Sequence, residues 1–119
     1  MKTTKKNLKY QSPGINEVSR YEKLHTVTFE NSKEGSVSIA REICDLVKAK
    51  QEKNKYCVIG FATGSSPTKV YQEIIRIHKE ESLSFKNVIA FNLDEYFPIN
   101  KDDKNSYHYF MKENLFDHI

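Results

Sequence analysis

Tyr56-Cys57-Val58-Ile59-Gly60-Phe61-Ala62-Thr63-Gly64-Ser65-Ser66-Pro67 is the stretch on which the fold turns. Its first half is short and almost wholly apolar. Such a run suits a strand buried on both faces of a parallel sheet. Its second half is a loop of small polar residues that leads into a helix. From Pro67 to about Glu81, Val70, Ile74 and Ile77 form one row, with Tyr71, Ile75 and His78 beside it. Pro67 suits a first helical turn, where no N–H is needed.

The same alternation extends outward. Val88-Ile89-Ala90-Phe91 is a second apolar strand. Upstream, Ala40, Cys44 and Val47 share one helical row, and Ile39, Ile43 and Leu46 share the next. That wide stripe runs from Val37 to near Gln51. Asn31, Ser32 or Ser36 can cap it. Leu24, Val27 and Phe29, with Thr26 and Thr28 between them, predict a further strand. Asn105 or Ser106 can cap a last helix carrying Tyr109, Phe110, Met111, Leu115 and Phe116. The order β-α-β-α-β-α predicts an α/β fold with a doubly wound, mostly parallel, Rossmann-like sheet. Both inner strands should be covered on both faces, although three strands and three helices leave part of the sheet bare.

Residues 1 to 22 are polar, broken by Ser12-Pro13-Gly14, and are expected to be a flexible basic extension outside the core. Residues 23 to 119 form the domain. With 119 residues, 38% hydrophobic and 29% charged, the chain has the composition of one small globular unit. A net charge of +3 is too small to call for nucleic acid. No apolar run reaches the roughly 20 residues of a membrane helix, and no h-region follows Lys2, Lys5, Lys6 and Lys9. Cys44 and Cys57 lie in apolar runs and form no CxxC pair, so they read as buried, reduced thiols in a cytoplasmic protein.

In open parallel sheets, ligands bind beyond the C-terminal strand ends. Two polar clusters fall there. Thr63-Gly64-Ser65-Ser66 precedes a helix, whose unpaired N–H groups and partial positive charge favour phosphate. The bland alternative is an ordinary cap. The loop has no Gly-Lys-Ser/Thr ending and no G-x-G-x-x-G, so it is neither a Walker loop nor a dinucleotide fingerprint. Asn92-Leu93-Asp94-Glu95-Tyr96 sets two acids at the end of the other strand. One in a partly dry pocket would serve as a proton-transfer base; the alternative is a solvated acid pair. A divalent metal would need a further ligand cluster, which this stretch lacks. No cofactor is called for. Together the clusters describe a site for a small phosphorylated metabolite undergoing proton transfer.

Phe61-Ala62-Thr63-Gly64-Ser65-Ser66-Pro67, Ser84-Phe85-Lys86-Asn87-Val88 and Phe91-Asn92-Leu93-Asp94-Glu95-Tyr96 together resemble the glucosamine-6-phosphate deaminase family, N-terminal portion. Ser106-Tyr107-His108-Tyr109-Phe110-Met111 and Asn114-Leu115-Phe116-Asp117-His118-Ile119 follow in the same order, so the resemblance covers roughly residues 24 to 119. The basic extension is similar to that of longer members in which a second domain follows. The resemblance implies amino-sugar catabolism: glucosamine 6-phosphate and water give fructose 6-phosphate and ammonia, in an enzyme classed with the hydrolases. It implies that Asp94 is the base moving a proton between C2 and C1. Thr63, Gly64, Ser65 and Ser66 would line the phosphate end, and Glu95 would be a substrate-binding neighbour. The family's ring-opening His, its acidic partners and further basic residues have no counterpart here; His78, His108 and His118 do not match them. The expectation is a truncated gene product, a fragment or half of a split enzyme, inactive alone. The full-length partner is a sugar phosphate, with a homo-oligomer open. A 6-phosphogluconolactonase-like hydrolase and a non-catalytic sugar-phosphate sensor are the alternatives.

Overall fold

A strand stays in place only where a neighbour holds its backbone. In a computed structural model, which describes residues 26–119, two strands meet this condition. Strand β1 is Cys57–Phe61 and strand β2 is Val88–Asn92. They pair in parallel, with Cys57 opposite Val88 and Phe61 opposite Asn92. A parallel pair needs a crossover, and helix α2 (Thr68–Glu81) supplies it. Helix α1 (Ser32–Glu52) precedes β1, and helix α3 (Tyr107–Asn114) follows β2. A short 3₁₀ turn, Phe116–His118, ends the chain.

The cap of α1 follows from its sequence. Asn31 is extended, and its side chain accepts from the Lys33 and Glu34 amides at 3.0 Å each. Asn31 Nδ2 in turn donates to Glu34, three residues on. This reciprocal pair satisfies two amides that the helix leaves free and starts it five residues before Val37. Gly35 allows Phe29 to lie against the first turn, since a Cβ there would sit 3.2 Å from the Phe29 ring.

The core is a single cluster between the helices and one face of the sheet. Ala40 and Cys44 of α1 meet Tyr71, Ile74 and Ile77 of α2, with Phe61, Leu83, Met111 and Leu115. Phe61 makes edge-on contacts with Tyr71 and Phe116, at centroid distances of 5.8 and 5.9 Å. Both cysteines are buried and free, and burial pushes the Cys44 thiol up to about 11. Arg41 donates to both oxygens of Glu81, joining the exposed sides of α1 and α2.

Asn87 fixes the register of the sheet. Its Nδ2 donates to the Val47 and Lys55 carbonyls, its Oδ1 accepts from Gln51, and its own carbonyl accepts from the Cys57 amide at 2.8 Å. One side chain thus ties the end of α1 to the starts of both strands. Once those starts are level, five residues in each strand bring the strand ends level too.

Three expectations change. Residues 26–29 do not form a strand, and Leu24 lies outside the described residues, as does the whole 1–22 extension. The last helix stops at Asn114: Leu115 leaves helical geometry (φ −145°), and Phe116 belongs to the 3₁₀ turn. The double cover of the strands is also absent among the described residues. Cys57 and Phe61 face the helices, whereas Val58, Ile89 and Phe91 are 63%, 41% and 61% exposed. Ile39 and Leu46, from the second row of α1, are likewise exposed. The class is α/β with parallel strands, and helices cover one face of it.

Candidate active site

Register decides where the two polar clusters lie. Phe61 and Asn92 are paired at the C-terminal ends of the strands. Thr63 comes two residues after the first and Asp94 two residues after the second, so both loops leave the same sheet edge at the same level.

The first loop is shaped for close approach. Gly64 has φ +99°, a conformation that side chains disfavour, and a Cβ there would meet nothing within 4 Å. The glycine is therefore required by backbone conformation and not by crowding. The Tyr71 hydroxyl donates to the Ala62 carbonyl from the second turn of α2, and burial pushes that phenol up to about 12. Thr68 Oγ1 donates to the Gly64 carbonyl at 3.1 Å. Both ends of the loop are pinned, while Gly64, Ser65 and Ser66 remain exposed. Pro67 starts α2 with no side-chain cap bond and no acid in the first turn. The N-terminus of α2 keeps its partial positive charge unanswered.

The second loop is held differently. Glu95 accepts from the Tyr107 amide at 2.9 Å through Oε1 and from the His108 amide at 3.0 Å through Oε2. Oε1 also accepts from the adjacent Tyr96 amide at 2.9 Å. The Tyr107 amide bond, then those to His108 and Tyr96, hold the Glu95 carboxyl below the usual carboxylate range against a small desolvation penalty. Ser106 completes the cap. Its buried Oγ donates to the Lys101 carbonyl and accepts from the Tyr109 amide. Asp94, beside this clip, is exposed, so the partly dry pocket expected around it is not formed by the described residues.

Tyr107 stands beside the second loop. Its ring packs on Tyr96 at a centroid distance of 4.9 Å and 43°. Its phenol is raised above the ordinary range chiefly by a hydrogen bond with the Tyr96 side chain, then by desolvation and by negative charge at Tyr96 and Asp94; a hydrogen bond with the Thr63 side chain opposes this. Thr63 and Asp94, one from each predicted cluster, thus both act on one phenol. Sequence reading places Tyr107 in a motif without a role, because an aromatic residue in an apolar helix reads as core. The signal was its position immediately after the Ser106 cap, at the mouth of the helix.

The three histidines among the described residues are engaged elsewhere. His78 Nδ1 lies 2.7 Å from the Leu83 carbonyl, His108 Nδ1 3.2 Å from that of Lys101, and His118 Nε2 2.8 Å from that of Glu113. Among the described residues no three His, Cys, Asp or Glu side chains converge on a metal position. No helix among them is long and apolar enough to cross a membrane.

No family model matches the chain. Individual proteins do. A putative glucosamine-6-phosphate deaminase-like protein of Bacteroides thetaiotaomicron is 45% identical over 102 residues, which is 86% of this chain and 15% of that protein. A glucosamine-6-phosphate deaminase of Bacillus velezensis is 43% identical over 96 residues, 81% of this chain and 38% of its own. Among solved structures, a monomeric glucosamine-6-phosphate deaminase of the NagB superfamily superimposes with a TM-score of 0.74 at 38% identity. It covers 81% of this chain and 38% of its own length. These names overturn the hydrolase class expected from the resemblance. The relatives are named as deaminases. Lactonase and sensor readings gain nothing from them. The chain spans at most 38% of the length of these relatives, and over that span it is similar to glucosamine-6-phosphate deaminases in sequence and in fold.

Proposed function

We propose that these residues form part of the active site of an enzyme of amino-sugar catabolism that converts glucosamine 6-phosphate and water to fructose 6-phosphate and ammonia. The observation that carries this is the level register of the two loops, which sets a vacant helix N-terminus and a free carboxylate on one sheet edge. A phosphate needs the first and a proton transfer needs the second.

The phosphate sits on the backbone of Gly64 to Ser66 at the start of α2, with Thr63 at its side. Asp94 then takes the proton from C2 of the open-chain sugar, a carbon made acidic by the neighbouring C1 carbonyl and the 2-amino group. The same carboxyl returns the proton to C1. One proton of the 2-amino group ends on O1, so C1 becomes a hydroxymethyl carbon and C2 carries the nitrogen as an imine; water adds at C2, ammonia leaves and C2 becomes the ketone carbonyl. One carboxylate suffices for two adjacent carbons, which matches the single free acid here. Tyr107, packed on Tyr96 at the mouth of α3, stands at the acid end of this site.

We place residues 1 to 22 outside the domain and residues 23 to 119 within it. The free cysteines suit a reducing, cytoplasmic setting, and the charge of +3 gives no reason to invoke nucleic acid.

The test is ammonia release from glucosamine 6-phosphate, measured for residues 1–119 and for the longest natural form of the polypeptide. Activity in the longer form with none in the shorter is the expected result. Phosphate binding without turnover in both would move the assignment to the sensor.

A further inference from the structure

The acid pair Asp94-Glu95 divides its work. We propose that Glu95 is a positioning residue, not a substrate ligand: by bridging the Tyr107 and His108 amides it clamps the Asp94 loop to the mouth of α3 and sets where the Asp94 carboxylate stands. The proposal rests on the deaminase reading for its chemistry, but the clamp itself is a fact of geometry.

Three observations carry it. First, both Glu95 oxygens are occupied, Oε1 by the Tyr107 and Tyr96 amides and Oε2 by the His108 amide, at 2.9 to 3.0 Å. A sugar hydroxyl seeking this carboxylate would have to displace helix-capping bonds. Second, the bonds span 12 and 13 residues, across a loop that otherwise has no regular structure between Leu93 and Ser106. A local cap would come from the residue just before the helix, and Ser106 already fills that place. A second cap brought from the other end of the loop closes the loop as well as finishing the helix. Third, Tyr96 stacks on Tyr107, so the residues on either side of the Glu95–α3 contact are fixed together. Asp94 immediately precedes this triple attachment. Its backbone has β2 on one side and the clamp on the other, which leaves its side chain little freedom to wander. A general base gains its effect from such placement, and a displacement near 1 Å costs about 10²-fold in rate.

The carboxylate is needed for the clamp. In this clamp each helix amide has its own acceptor, Tyr107 on Oε1 and His108 on Oε2. Glutamine offers one, and its NH₂ would face the second amide donor to donor. Glu95→Gln therefore keeps size and half the clamp, and Glu95→Ala removes all of it.

The experiment uses the longest natural form of the polypeptide, with Glu95→Gln, Glu95→Ala and, as a control, Ser106→Ala. The control loosens α3 from its local cap while leaving the bridge to Asp94. For each protein, kcat and KM for glucosamine 6-phosphate are measured, along with hydrogen exchange at the amides of residues 94 to 96, 107 and 108. Expected for Glu95→Ala is a fall in kcat of about 10²-fold, KM within about threefold, and exchange at residues 107 and 108 faster by about tenfold, the size of a lost helix cap. Glu95→Gln should fall between it and the parent, and Ser106→Ala should keep kcat near the parent value. A raised KM with unchanged kcat in the Glu95 variants would make Glu95 a ligand and overturn the proposal, as would unchanged exchange at residues 107 and 108. Equal kcat losses in the Ser106 and Glu95 variants would reduce Glu95 to ordinary helix stability and overturn it too. If the parent protein releases no ammonia, the deaminase reading fails. Exchange at residues 94 to 96 in the Glu95 variants then still decides the clamp: acceleration sustains it, and no change removes it.

Discussion

The two strand ends lead into helices of opposite character. At β1 the chain turns through Gly64 and enters α2 with no side chain answering the first amides and no acid in the first turn. At β2 it runs through a longer loop and enters α3 with Ser106 and Glu95 both bonded to the helix mouth. One N-terminus is left open and the other is saturated from within. The difference teaches where an anion from outside can be received, because an amide already bonded to a carboxylate has nothing to offer a phosphate. It also separates the two acids. Glu95 is consumed by structure, which leaves Asp94 as the carboxylate able to exchange a proton with a substrate.

The comparison breaks most readily at Asp94. In the longest natural form, Asp94→Asn keeps the size and some hydrogen bonding of the side chain but cannot accept a proton. Turnover should fall by about 10²–10⁴-fold, the range for a general base, with little change in KM. Steady-state kinetics of ammonia release measures both. A variant with the parent kcat would leave the second loop with no chemical role and would make the contrast between the loops purely architectural.

The open loop depends on Gly64. Because a Cβ at that position meets no neighbour and the backbone stands at φ +99°, Gly64→Ala should cost of order 1–3 kcal/mol through backbone strain alone. Denaturant titration should show a lower midpoint with an unchanged slope. An undiminished midpoint would mean that the loop relaxes easily, and that its shape is not held by its two pinned ends.

Ser66→Asp fills the vacancy at α2 with a negative charge. The helix gains from it, since acids near an N-terminus stabilise by about 0.3–1 kcal/mol. The phosphate loses, since two like charges about 4 Å apart at a protein surface repel by about 1–4 kcal/mol. The expected outcome is a melting temperature at or above that of the parent, together with a KM for glucosamine 6-phosphate raised by about tenfold or more. A phosphate that binds elsewhere would leave KM untouched, and the open helix mouth would then be incidental.

Much of this contrast is legible in the sequence, and the part that is not has physical causes. Ala40, Cys44 and Val47, and Ile74 and Ile77, are the buried rows that helical spacing predicts, because a helix must bury a stripe and the spacing of apolar residues names it. Asn31 and Ser106 cap the helices as their residue types foretell. The place of Thr63 to Ser66 and of Asp94 follows from two short apolar runs that read as parallel strands, each opening at its C-terminal end into a polar loop. The role of Glu95 does not follow. Its partners are 12 and 13 residues away, and nothing in a loop sequence states which helix mouth a carboxylate will reach. Tyr107 is missed for a related reason: the sequence does not say which ring a helix-mouth aromatic will meet, here Tyr96. The exposed Val58, Ile89 and Phe91 show a further limit. A continuous apolar run says that both faces of a strand want cover, but it does not say which residues supply it.

The smallest effect offers the sharpest comparison, because it reads the two helix mouths in one experiment. The folded Glu95 carboxyl lies below its ordinary value, chiefly through the Tyr107 amide bond and then those of His108 and Tyr96. A group with a depressed folded value gives stability that is fully present above its unfolded value, about 4.3 for glutamate, and that is lost as pH falls through the folded one. The α3 clamp should therefore be intact at neutral pH and begin to open only below about pH 4.3. The nearby His108 ring adds a smaller contribution in the same direction. Followed by amide chemical shifts between neutral and acid pH, Tyr107 and His108 should move together in a single step below the ordinary glutamate value. The amides of Thr68 and Lys69, at a mouth with no acid in its first turn, should show no such step. A step at α2 in the same range would mean that some carboxylate reaches that mouth in solution, and the vacancy on which phosphate binding rests would be filled. The absence of a step at Tyr107 and His108 would mean that Glu95 does not hold α3, and both helices would then present the same open end.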